Sequence, residues 1–335
     1  MILSVDGGAT KTVSLVIDEE KKKLLSVGLA EASNFNAVGE DTAKQNLFNS
    51  ISLALSYADL EPNDIDFAIF SLAGVGDSKE SDMIANTIVR SVSPSKRYLI
   101  FNDGVVAYRA TNLYEDGIMV ASGTGNVNFY QKNGNLYRVG GWGWFVGDEG
   151  SASWVAKRAL TYATRQYDNL IEGKELVKAA EQFFGDEFKE LIWKLEMRHE
   201  KPYVASFATI VSKLAKEGSK IADKVLDEAS DYIALVINSV LKEFEGKNVR
   251  VSVTGGLMLA GDILINKIKA KVNAPLHVFY GYQHAVGGLA VIRKDVTFDD
   301  MKAILKELDQ LLVKTYTPEK LKKLLYFERP PGGWG

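Results

Sequence analysis

The sequence predicts an α/β protein of two similar domains, each a mixed β-sheet with crossover helices, with a cleft between them. Three observations lead there. Short apolar runs alternate with segments of helical spacing, the pattern of parallel strands joined by crossover helices. The order strand, glycine loop containing threonine, strand, strand, then helices alternating with strands occurs twice, from Met1 and again from Gly117. And 335 residues are more than a single core usually serves.

In order, Met1 to Val5 reads as a short buried strand, followed by the loop Asp6-Gly7-Gly8-Ala9-Thr10-Lys11-Thr12. Residues 13–18 and 24–29 are strands joined by the charged turn Asp18 to Lys23. Ala43, Leu47, Ile51, Ala54, Leu55 and Ala58 recur at helical spacing over 40–58. Ile65 to Phe70 is a strand, 78–92 a helix, Tyr98 to Phe101 a strand, and Val105 to Asn112 a helix after Asn102-Asp103-Gly104. In the repeat, Gly117 to Ala121 ends in Ser122-Gly123-Thr124-Gly125, and strands Asn126 to Gln131 and Leu136 to Val139 flank the Asn133-Gly134 turn. A helical stretch runs from about Ser151 to Phe244. Val249 to Thr254 then forms a strand before Gly255-Gly256, with a helix over 257–271, a strand Leu276 to Phe279 and a helix over 285–293. Residues 297–326 read as two amphipathic helices with a Thr317-Pro318 start signal, and the tail from Arg329 to Gly335 has no periodicity. The expected domains are 1–113, 114–293 with a helical insertion at about 151–244, and an extension over 294–335 suited to dimerisation, giving a homodimer, or to packing on the N-terminal domain.

Composition narrows the function. A net charge of −3 offers no electrostatic case for nucleic acid or an anionic membrane. The chain has no cysteine, which removes disulfides, iron–sulfur clusters, thiolate zinc sites and cysteine nucleophiles. His199, His277 and His284 lack metal-ligand spacing and read as ordinary surface or satisfied histidines. The N-terminus lacks the basic start of a signal peptide, and no apolar run is long enough to cross a bilayer, so a soluble cytoplasmic protein is expected.

Taken alone, the first loop fits two descriptions. Asp-Gly and Gly-Gly are hairpin signals. Equally, its successive N–H groups would form an anion-binding nest, Lys11 would add positive charge, and Asp6 could hold a divalent cation or its waters. Lys11 by itself reads as a solvated lysine, and Asp103, at a helix start, as an N-cap.

The chain resembles the superfamily of sugar kinases, acetate kinase, chaperones and actin, and within it the N-acetylglucosamine kinase and BadF-type ATPase branch, including archaeal broad-specificity hexokinases. The resemblance runs to about residue 293. Asp6 to Thr12 is similar to the first phosphate loop, Ser122 to Gly125 to the second, Thr254-Gly255-Gly256 to the adenosine motif, and Ala285 to Gly288 to the second interdomain connection. The stretch Gly140-Gly141-Trp142-Gly143 through Gly147-Asp148-Glu149-Gly150-Ser151, with Trp154 after it, is distinctive of the branch.

That resemblance implies two RNase H-like domains of the actin and hexokinase type that close over ATP and a sugar, one hydroxyl of which is phosphorylated. Asp103 becomes the catalytic base, matching the family's Asn-Asp-Gly/Ala context, and Asp6 the Mg²⁺ residue, through water. Gly7, Gly8, Thr10, Lys11, Thr12, Gly123, Thr124 and Gly125 are the implied phosphate contacts, and Gly255, Gly256 and Leu257 the nucleotide contacts. Sugar recognition falls to Ser33-Asn34, Asn36, Asp103, Trp142, Gly147, Asp148 and Glu149. For Glu149, capping the helix near Ser151 is an equal reading, and for Trp142 and Trp144 so is core or interface packing, favoured for Trp144. Gly287 and Gly288 early in a helix imply a close helix crossing at a hinge.

The substrate implied is N-acetylglucosamine or a related hexose; glucose, glucosamine and 2-keto-3-deoxygluconate are alternatives. Relatives that activate dehydratases hold an iron–sulfur cluster on cysteines, which this chain lacks. Sugar-sensing repressors carry an added DNA-binding segment, and here the first loop starts at Asp6.

Overall fold

The computed structural model describes residues 1–197 and 200–332; His199 and the last tail residues, Gly333 to Gly335, lie outside the described residues. The chain forms two compact units, Met1–Asp116 together with the segment from Val278 onward, and Gly117–His277.

The first unit opens with β1 (Ile2–Gly7), β2 (Lys11–Asp18) and β3 (Lys23–Glu31), then α1 (Phe35–Val38), α2 (Glu40–Tyr57), β4 (Phe67–Leu72), α3 (Lys79–Val92), β5 (Tyr98–Asn102) and α4 (Asp103–Asn112). The sheet order is β3-β2-β1-β4-β5. β1 runs antiparallel to β2 and parallel to β4, and β4 runs parallel to β5. β1 is central and every one of its residues is buried. Leu47, Ile51, Ala54 and Leu55 of α2 meet Leu3, Val5, Phe70 and Leu72 of the sheet in one core. Burying such a side chain fully stabilises by about 1.5–3 kcal/mol.

The second unit repeats the plan with β6 (Gly117–Ser122), β7 (Asn126–Lys132), β8 (Asn135–Gly140), α5 (Ala152–Tyr167), α6 (Glu175–Phe184), α7 (Phe188–Met197), α8 (Lys201–Ser206), α9 (Ala208–Lys216), α10 (Lys220–Leu241), β9 (Arg250–Thr254), α11 (Asp262–Lys271) and β10 (Leu276–Val278). Its sheet order, β8-β7-β6-β9-β10, is that of the first unit, strand for strand. Helices α5 to α10 are the expected insertion. The helix expected over 257–271 is instead a 3-10 segment, Gly256–Ala260, and α11, separated by Gly261 at φ +75°.

The chain then returns to the first unit through the 3-10 segment Gly281–Val286, α12 (Gly287–Ile292), α13 (Phe298–Thr315) and α14 (Pro318–Leu325). This corrects the expected boundary at 293: residues 278–293 cluster with the N-terminal unit. Two glycines make that docking possible. A methyl group on Gly287 would lie 2.1 Å from the Val106 carbonyl of α4, and one on Gly288 2.0 Å from Ser4 Oγ of β1. The helix crossing expected there is present, between α12 and α4 within one unit.

The extension packs on β3, the edge of the first sheet. Thr297 and Asp300 cap α13 reciprocally, and Thr317 caps α14 with Pro318 in its first turn. The Leu24 N–H donates to Glu307 Oε2 at 2.8 Å. Tyr316 Oη accepts from the Leu29 N–H at 2.9 Å and donates to the Val27 carbonyl at 3.1 Å. Side chains thus satisfy the outer backbone groups of an edge strand that would otherwise invite pairing. Among the described residues, no helix is long and apolar enough to cross a membrane.

Candidate active site

In the first unit the parallel strands β1, β4 and β5 end at one edge, the place where open α/β sheets bind ligands. Register puts Asp6 opposite Ser71, and Ser71 opposite Phe101, two residues before Asp103. Ser71 Oγ lies 3.3 Å from Asp6 Oδ1 and 3.4 Å from the Asp103 carbonyl. Asp6 is buried, and its pKa is pushed up to about 7 by that burial and by the charge of Asp103, against the opposing pull of Lys11 and the Ser71 hydroxyl. Burial in turn lowers Lys11, which Asp6 offsets. Two carboxyls and one ammonium therefore share this edge. The N-cap reading of Asp103 is corrected: Asn102 is the cap, its Oδ1 accepting from the Gly104 N–H at 3.0 Å while its Nδ2 holds the Val75 carbonyl at 2.8 Å. Asp103 is the first residue of the helix itself.

The first loop is the hairpin turn that the sequence allowed. Gly7 pairs with Thr12 across an antiparallel hairpin, and Gly8 N–H closes the turn on Lys11 O at 3.0 Å. Gly8 O accepts from the Ser33 and Asn34 N–H groups, each at 3.1 Å, fixing the loop to the segment after β3. Lys11 and Thr10 are half-buried. Thr12 is a correction: its side chain is wholly buried, 2.7 Å from Glu31 O and 2.8 Å from Ser33 Oγ, so its hydroxyl serves the fold and leaves at most backbone for phosphate. Asn34 caps α1, accepting from the Asn36 N–H at 3.0 Å. Asn36 is exposed, its Nδ2 beside Gly74. His284, read as ordinary, is half-buried, and burial together with the Lys11 charge lowers it to about 3. It is a neutral imidazole next to the loop lysine.

The second unit carries the matching turn. Gly123 N–H closes on Gly125 O at 2.9 Å between antiparallel β6 and β7. The first N–H groups of α5 hold it: Ala152 donates to Gly123 O at 2.9 Å and Ser153 to Thr124 O at 3.2 Å. Ser122 Oγ donates to Gly150 O. Gly255 abuts the same turn at φ +109°, and a methyl there would fall 2.2 Å from Ser122 O, so only glycine fits. Gly256 has open space beside it, and Leu257 is buried. Gly255 and the second glycine turn are thus in contact within one unit.

The Gly140 to Ser151 stretch is a loop between β8 and α5. Asp148 is buried at a left-handed φ of +60°, its Oδ1 accepting from the Asn126 N–H at 3.2 Å and its Oδ2 from Lys201 Nζ at 2.6 Å. Gly147 closes on Gly143 O at 2.8 Å. Ser151, not Glu149, caps α5, its Oγ accepting from the Trp154 N–H at 3.1 Å, which removes the capping role from Glu149. Burial and the charges of Glu149 and Asp148 raise the Tyr232 phenol. Trp142 is 78% exposed under the Arg138 guanidinium, so core packing does not describe it. Trp144 is half-buried, with Lys157 Nζ 5.5 Å from its ring and 3.1 Å from its carbonyl, so it is not a core residue. Lys201 is the residue the sequence reading missed. It lies 53 positions from Asp148 in a helical stretch without a local signal.

Two domains with the same strand order, each opening on a glycine-turned hairpin, define the RNase H-like, actin-type class of α/β folds. Residues 3–291 match the family model of the BadF/BadG/BcrA/BcrD ATPase family, and the chain belongs to that family. It is 25% identical over 284 residues to an N-acetylmuramic acid/N-acetylglucosamine kinase of Clostridium acetobutylicum, covering 81% of this chain and 90% of the relative. It is 24% identical over 287 residues to an N-acetyl-D-glucosamine kinase of Dictyostelium discoideum, with the same coverage of both. A solved structure from Chromobacterium violaceum, provisionally assigned as an N-acetylglucosamine kinase, superposes with a TM-score of 0.69 at 23% identity, over 87% of this chain and 98% of that one. The family makes ATP the nucleotide.

Proposed function

We propose that this protein is an ATP-dependent sugar kinase that phosphorylates a hydroxyl of N-acetylglucosamine or a closely related hexose. The observation that carries the reading is the edge shared by Asp6, Lys11 and Asp103, in a chain whose family uses ATP and whose similar relatives are named for amino-sugar phosphorylation.

Phosphoryl transfer asks mainly for positioning and charge neutralisation. In this reading Asp103 accepts the proton of the sugar hydroxyl as that oxygen bonds to the γ-phosphorus and the bond from phosphorus to the ADP oxygen breaks. Lys11, Thr10 and the backbone of Gly7 and Gly8 face the phosphates, as do Gly123, Thr124 and Gly125. Gly255, Gly256 and Leu257 hold the nucleoside. Asn34, Asn36, Trp142, Gly147, Asp148 and Glu149 are assigned to the sugar. The site suits Mg²⁺: Asp6 is a hard oxygen donor whose proton affinity the Asp103 charge raises, and one or two carboxylates with waters and phosphates are what this ion takes. Among the described residues no larger acidic or histidine cluster competes for it. When bound, Mg²⁺ screens the phosphate charge. The cytoplasm, where ATP is supplied, is its assigned compartment.

The test is ATP consumption, by coupled assay, over N-acetylglucosamine, glucose, glucosamine, mannose and 2-keto-3-deoxygluconate. N-Acetylglucosamine should give the highest kcat/KM; turnover of none of the five sinks the proposal. Asp103→Asn should lower kcat by about 10²–10⁴-fold without lowering the melting temperature. Near-normal turnover would remove Asp103 from the base role.

A further inference from the structure

We infer that Lys201 is a phosphate-binding residue of the second glycine turn, a cation that holds the terminal phosphates of a nucleoside triphosphate while remaining bonded to Asp148. The inference rests on the proposed reading of Gly123 to Gly125 as a phosphate turn.

Four observations place the ammonium there. A methyl group on Gly125 would lie 2.9 Å from Lys201 Nζ and 3.0 Å from Asp148 Oδ2, so the ion pair rests directly on the turn backbone. The carbonyls of Gly123 and Thr124 are taken by the start of α5, so the fold consumes those acceptors and Lys201 supplies positive charge beside Gly125. Asp148 is 5% exposed and bonded at both oxygens, whereas the Lys201 side chain is one-third exposed: the carboxylate is anchored in the fold, and the lysine is the more accessible partner of the pair. Lastly, Asn126, the residue after the turn, is 3% exposed, and neither atom of its carboxamide has a hydrogen-bond partner. Unused polar capacity of that kind in a buried residue calls for a ligand or water.

The chemistry follows from the lysine head group. An ammonium has three N–H donors and no acceptor. One is used on Asp148 at 2.6 Å, which leaves two for phosphate oxygens. Because Asp148 is also assigned to the sugar, Lys201 would connect the phosphate turn to the sugar-binding loop, both within the second unit. A surface ion pair made only for stability is worth little, about 0–1 kcal/mol. Here a buried carboxylate at left-handed φ is kept in place by that lysine, which fits a functional site better than a decorative one.

Titration calorimetry of the full chain with ATP and with adenosine tests this. Lys201→Gln keeps a donor for Asp148 and removes the charge. It should weaken ATP binding at least tenfold while leaving adenosine binding unchanged, and Lys201→Arg should restore most of the loss. An unchanged ratio of ATP to adenosine affinity in Lys201→Gln overturns the inference. So does an equal loss for both ligands, which marks a structural lesion. A wild-type protein that binds ATP no better than adenosine overturns the phosphate-turn reading itself, and the inference with it.

Discussion

Asp6 is an acid held in a place that resists its charge. Its carboxyl, ordinarily near 3.8, sits at about 7 because burial and Asp103 both oppose ionisation. The linkage has a definite sign. Below pH 3.8 the group is protonated in folded and unfolded chains alike and costs nothing. Between there and about 7 the unfolded chain ionises while the folded one does not, so stability falls as pH rises, and the full penalty stands above 7. Asp6→Asn should therefore melt higher than wild type above pH 7, by about 2–4 °C for each kcal/mol relieved, and approach it near pH 4. Melting curves across that range, without divalent cations, decide it; parallel curves would contradict the burial argument. His284 illustrates the same physics in reverse. Next to Lys11 and half-buried, it stays neutral, so the loop keeps one cation where the residue types alone would allow two.

At the scale of elements, the extension is fitted to the sheet it covers. β3 is an edge strand, and Glu307 and Tyr316 supply what a neighbouring strand would have supplied. A second tie runs from α13 to the 3-10 segment Gly281–Val286, where Tyr282 Oη donates to the buried Asp309 Oδ1 at 2.6 Å. Burial raises that carboxyl to about 6 even with the phenol bonded to it. Tyr316→Phe leaves the Leu29 N–H and the Val27 carbonyl buried without their partner and should cost about 1–3 kcal/mol. Urea denaturation measures it. A change under about 0.5 kcal/mol, the usual range for surface substitutions, would mean that the edge is satisfied some other way.

For the whole molecule, connectivity is uneven. The second unit is one continuous stretch, whereas the first is assembled from both ends of the chain. β1 and α4 of the first unit need α12 against them, and β3 needs α13. A fragment of residues 117–278 should therefore unfold cooperatively by circular dichroism, while 1–116 should not. Cooperative unfolding of 1–116 alone would show that the returning helices are dispensable.

Much of this was legible in residue order. Hydrophobic periodicity located every strand in both sheets to within two or three residues, because a buried strand announces itself locally. The repeated loop-and-strand order gave two like domains, and the sheets have the same strand order because like patterns pair alike. The glycine turns, Asp6 and Asp103 stood out since their chemistry and their neighbours are adjacent in sequence. What only the tertiary structure decided was whatever depends on distant residues meeting. Thr12 turned inward because its strand position faces Ser33 and Glu31. Asn102 took the cap from Asp103 by also reaching Val75. The helix of Gly287 and Gly288 joined the first unit since two missing side chains let it lie on α4 and β1. Lys201 reached the second glycine turn from the helical insertion, and no spacing rule links it to Gly125 or Asp148. Periodicity and turn chemistry are properties of neighbours in sequence, whereas the partner of a buried charge is set by packing.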